Sequence, residues 1–145
     1  MMMWSKLRKS LLVVCFLIYL TFLLYLLFFS HYRQAVKGNV GYNIIPFESI
    51  LSYLSNFDKF SIYVLTDNFF GNILAFIPFG FLLPTIWTKV RAFIKILALS
   101  CCCSLSIELA QFLFQVGAFD VDDIILNTVG GGVGFSLYLL IKKGF

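Results

Sequence analysis

The groups able to do chemistry are few, and they cluster. Glu108 and Gln111 interrupt an otherwise apolar stretch, carboxylates stand at Asp120, Asp122 and Asp123, and Asn72 and Asn127 each break a long hydrophobic run. Ser104, Glu108 and Gln111 are spaced i, i+4, i+7, which places them on one face of a helix. A charge at the centre of a membrane helix costs about 2.5–3.5 kcal/mol on insertion scales, so an ionisable group there marks function by default. One chemistry open to the set is acid–base work by Glu108. Another is an oxygen-rich Mg²⁺ or Ca²⁺ site built from Asp120, Asp122 or Asp123 with Asn127; in an extended segment, however, Asp120 and Asp122 point apart. The plain alternatives are interhelical hydrogen bonding, about 0.6 kcal/mol per contact, and capping of the helix that follows by Asp122 or Asp123. No Ser, Cys or His nucleophile with a positioned base is evident, and the sequence names no cofactor. Cys101, Cys102 and Cys103 are consecutive, so on a helix they diverge by about 100° per residue and read as packing residues.

These residues need elements to hold them. Of 145 residues 61% are apolar and 12% charged, whereas soluble domains carry about 25% charged residues. A bilayer core of about 30 Å needs about 20 apolar helical residues. Four stretches meet that need, at about 11–29, 69–87, 92–114 and 124–141. The expected fold is all-α: a single membrane domain over 1–145, with four transmembrane helices. Pro78, Gly80 and Pro84 are expected to bend or loosen the second span. Gly130 and Gly134 form a Gly-x-x-x-Gly pair in the fourth, read as a close helix approach or as a loosened helix offering its backbone to a ligand. In the first loop Phe47, Ile50, Leu51, Leu54, Phe57 and Phe60 recur at helical spacing, which predicts an amphipathic interfacial helix after Pro46.

Charge sets the expected orientation. Lys6, Arg8, Lys9, Lys89, Arg91, Lys95, Lys142 and Lys143 fall on one side, against Arg33, Lys37 and Lys59 with six carboxylates on the other. The positive-inside rule then puts both termini in the cytoplasm. The first apolar run is longer than a signal core and lacks a small-x-small cleavage site, so an uncleaved helix is expected. In that frame Glu108 lies about 9 Å below the outer end of its span and Gln111 about 4–5 Å, with Asn72 and Asn127 at similar depth. All sit beneath Asp120, Asp122 and Asp123, which predicts one outward-facing polar site. A net charge of +4 with no basic cluster above four residues gives no footing for nucleic acid.

Several segments carry a resemblance. Asn43-Ile-Ile-Pro46-Phe47, Gly71-Asn72-Ile-Leu-Ala-Phe-Ile-Pro78-Phe-Gly80, Ile107-Glu108 with Gln111, and Asp120-Val-Asp122-Asp123 followed by Asn127-Thr-Val-Gly130 are similar in order and spacing to the VanZ-like family, over about 43–141. Many members carry an arginine just before the acidic motif; here Val116-Gly117-Ala118-Phe119 has none. The resemblance implies a multi-pass protein of the bacterial cell membrane, from a family whose founding member is associated with low-level resistance to the glycopeptide teicoplanin. It leaves the biochemical reaction open. The expected partners are the bilayer and a lipid-linked envelope precursor or glycopeptide, bound or modulated at the polar site. The alternatives are a membrane-embedded, metal-dependent enzyme acting on a lipid-linked substrate, and an assembly partner of a membrane complex.

Overall fold

A computed structural model describes residues 2–31, 33, 37–38, 41–55 and 65–143. The chain runs α1 (Met2–Phe28), β1 (Tyr42–Asn43), α2 (Glu48–Ser55), a π-helical stretch (Leu65–Phe70), α3 (Gly71–Ile86), a 3₁₀ turn (Thr88–Val90), α4 (Phe93–Leu113), β2 (Phe119–Asp120) and α5 (Val121–Lys143). Among the described residues, four segments are long and apolar enough to cross a membrane: Leu7–Phe28, Asn68–Ile86, Phe93–Leu113 and Val121–Lys143. The protein is a multi-pass membrane protein, and the amphipathic α2 is a minor addition to its four spanning helices.

The centre of the bundle is the α3–α5 pair, joined by missing side chains. A Cβ on Gly130 would come within 2.2 Å of the Ile73 carbonyl oxygen, one on Gly134 within 2.1 Å of that of Ile77, and one on Gly80 within 1.9 Å of that of Gly131. Backbone therefore lies on backbone over about two turns of α3 and one of α5. This is the close approach that small residues permit where lipid supplies no hydrophobic drive for association. The glycines make contact rather than a break, since α5 is continuous through them.

α3 also continues through Pro78 and Pro84. Each proline removes one helical donor, and outside groups bond to α3 carbonyls nearby. The Tyr19 hydroxyl donates to the Ala75 carbonyl at 2.7 Å, and Arg91 Nε donates to that of Pro84 at 2.9 Å. Leu23, Phe76, Phe79, Leu83, Ile96, Ile107, Phe135 and Tyr138 close the apolar core. The outer faces remain apolar and exposed, as at Ile18 and Ile94, which suits contact with lipid.

Within the described residues the predicted stripe is helical from Glu48 onward. α2 covers Glu48–Ser55, while Phe57, Asp58 and Phe60 lie outside the described residues. Its Leu51 and Leu54 are 61% and 56% exposed, leaving the free apolar face that an interfacial helix needs. α5 starts at Val121 rather than near 124, with Asp122 and Asp123 inside its first turn.

Candidate functional site

The site begins with how α4 ends. The Val116 N–H bonds the Gln111 carbonyl at 3.0 Å and the Gln115 N–H bonds that of Phe112 at 3.1 Å. Gln115 takes the left-handed φ of 55°. These are the two bonds of a Schellman close, which reverses the chain and satisfies the last carbonyls. The reversal brings 117–120 back along α4, where the Asp120 N–H donates to Glu108 Oε2 at 3.1 Å. β2 then pairs in parallel with β1, Tyr42 against Phe119 and Asn43 against Asp120, and ties the first loop to the start of α5.

Side chains reinforce that tie. Asp120 accepts from Asn43 Nδ2 at 3.1 Å and from the Ser49 hydroxyl at 2.7 Å, and also receives the Asp122 N–H at 2.8 Å. The cap of α5 is thus Asp120, not Asp122 or Asp123. Asp122 is fully buried and turns to the loop instead, accepting the N–H groups of Phe47 at 2.6 Å and Ile50 at 3.1 Å. It caps α2 from another element and holds Phe47 at a φ of 70°, a conformation unusual for a bulky residue. Asp123 accepts from Asn72 Nδ2 of α3 at 2.6 Å.

Five of the seven predicted site residues therefore meet at one end of the bundle: Asn72, Glu108, Asp120, Asp122 and Asp123. The other two face neighbouring elements. Gln111 is fully buried and donates to the Leu27 carbonyl of α1 at 2.9 Å, and Asn127 donates to the Ser104 hydroxyl at 2.8 Å. Gln111 stays close to the cluster, one turn from Glu108, and its Oε1 is buried with no hydrogen-bond partner among the described residues. The Asn127–Ser104 pair joins α5 to α4. The three aspartates take separate partners, and among the described residues no three His, Cys, Asp or Glu side chains are grouped to hold a metal.

Arg33 is the residue that sequence reasoning missed. It follows α1, and a Cβ on Gly117 would lie 2.6 Å from its Nη1. Glu108 and Asp123 both lie within its electrostatic reach. The cation absent from Val116–Phe119 thus arrives from the other end of the first loop, over a glycine that leaves it room. Its only sequence signal is that it is one of three basic residues on the acidic side.

The family model described as VanZ/LLP1 matches residues 16–142, starting inside α1 and upstream of Asn43. The chain belongs to the VanZ/LLP1 family. A relative, Protein VanZ of Enterococcus faecium, is 36% identical over 111 residues, which is 74% of this chain and 66% of the relative. The chain thus aligns with just under two thirds of that family member's length. No solved structure gives a significant match.

Proposed function

We propose that this VanZ/LLP1 protein binds a lipid-linked envelope component, or a lipophilic glycopeptide such as teicoplanin, at the end of the bundle built from Asn72, Glu108, Asp120, Asp122 and Asp123. That end faces outward and both termini are cytoplasmic, with Lys/Arg asymmetry as the physical reason. The observation that carries the reading is the burial of Glu108, 2% exposed, beside Asp123 and under the field of Arg33. Packing alone does not call for several ionisable groups together at membrane depth, where such groups line ligand paths. A ligand with an acyl or polyprenyl tail suits this position, because the tail stays in lipid while the head group meets hydrogen-bonding side chains.

Teicoplanin susceptibility of cells expressing the full chain tests this. Glu108→Gln and Asp123→Asn, at wild-type expression, are expected to return susceptibility to that of cells lacking the protein. Wild-type susceptibility in both variants ends the proposal.

A further inference from the structure

We propose that the opposite end of the bundle holds a second site, which binds the phosphate headgroup of an anionic phospholipid. A cavity of about 840 Å³ opens there between the start of α1, the end of α3, the 3₁₀ turn and the end of α5. Its volume is in the range of ligand pockets, about 300–1,000 Å³. Arg8, Lys9, Arg91 and Lys142 line it, with no carboxylate among the described lining residues. Four cations from three parts of the chain line it with no counter-charge among the described lining residues, and a phosphate would supply one.

Two details make this more than a basic surface. Arg91 is held in place, with Nε on the Pro84 carbonyl at 2.9 Å and its guanidinium carbon 5.9 Å from the centre of the Tyr138 ring. A guanidinium fixed in this way suits the fork geometry of phosphate recognition. Tyr138 also lines the cavity at 6% exposure, and its buried hydroxyl has no hydrogen-bond partner among the described residues. Buried tyrosine hydroxyls normally find a partner, and a phosphate or glycerol oxygen is one.

The rest of the wall favours a lipid over a soluble phosphate compound. Leu12, Phe81 and Ile141 are apolar, and Ile141 is 52% exposed on the outer face of α5. A lipid of the surrounding leaflet can enter sideways, with its glycerol region and first methylenes against these residues. Basic pockets between transmembrane helices bind anionic headgroups by this logic.

The test is native mass spectrometry of the full-length protein released from nanodiscs of equal phosphatidylglycerol and phosphatidylcholine. Wild type is expected to retain phosphatidylglycerol selectively. Arg91→Gln with Lys142→Gln should lower that affinity about thirty-fold, at about fivefold or slightly more per charge. Arg8→Gln with Lys9→Gln should act alike and leaves the Arg91 contacts untouched. Lys89→Gln with Lys143→Gln removes two charges at the same end but outside the cavity, and should retain wild-type selectivity. No selectivity in wild type, an equal loss in the Lys89/Lys143 pair, or displacement of the lipid by millimolar glycerol 3-phosphate would overturn the proposal.

Discussion

Asp122 lies in the first turn of α5, yet its two oxygens accept backbone N–H groups from a segment more than 70 residues earlier, at Phe47 and Ile50. Hydrogen bonds to a charged group are worth about 1.5–3 kcal/mol, and removing the acceptor leaves two donors without it. Asp122→Ala should therefore lower stability by about 1.5–3 kcal/mol in thermal unfolding of the purified protein. Glu48→Ala, at an exposed position in the first turn of the helix that Asp122 caps, should change it by less than about 0.5 kcal/mol. Equal effects would mean that Asp122 does not hold the loop. Residue identity made Asp122 a capping residue in the sequence, but the helix it caps was not legible. A cap supplied from a distant element leaves no periodic trace. Arg33 was hidden for the same reason, since only the reversal after α4 brings Gly117 beneath it.

At the scale of elements, the glycines decide which helices touch. The would-be Cβ contacts of Gly130 and Gly134 are with α3 backbone, which cannot move aside, whereas those of Gly132 are with the Leu97 and Phe93 side chains at 3.2 Å and beyond. Overpacking costs about 1–3 kcal/mol. Gly130→Ala and Gly134→Ala should each lose at least that much in thermal unfolding, and Gly132→Ala clearly less. Similar losses at all three would contradict the backbone seam. This feature was largely readable beforehand, because a Gly-x-x-x-Gly pair in an apolar span points to close approach. The four spans were readable too, since bilayer thickness fixes their length. Element ends were less so. α5 begins at Val121 because Asp120, anchored by Asn43 and Ser49, takes the cap. Counting residues along each span puts Asn72, Glu108, Gln111 and Asn127 at similar depth beneath the aspartates. Depth says nothing of rotation about a helix axis, which is what sends Gln111 to Leu27 and Asn127 to Ser104.

For the whole molecule, the two ends differ in charge and in the task proposed for each. The end built from the first loop and the α4–α5 connection holds the buried carboxylates Glu108 and Asp122, and the other gathers Arg8, Lys9, Arg91 and Lys142. The Lys/Arg bias predicts that a reporter enzyme active only outside the cytoplasm is silent when fused after Lys143 and active when inserted in the first loop. The reverse pattern would invert the molecule and move the acidic end to the cytoplasm. The central claim is that the acidic end engages the ligand. Hydrogen exchange of the full-length protein in nanodiscs, with and without a lipid-linked envelope precursor or teicoplanin in separate samples, tests it most directly. The account predicts slower exchange over 41–50 and 119–123 with at least one of the two, and no change at Thr88–Val90. Unchanged exchange at 41–50 and 119–123 with both would contradict it.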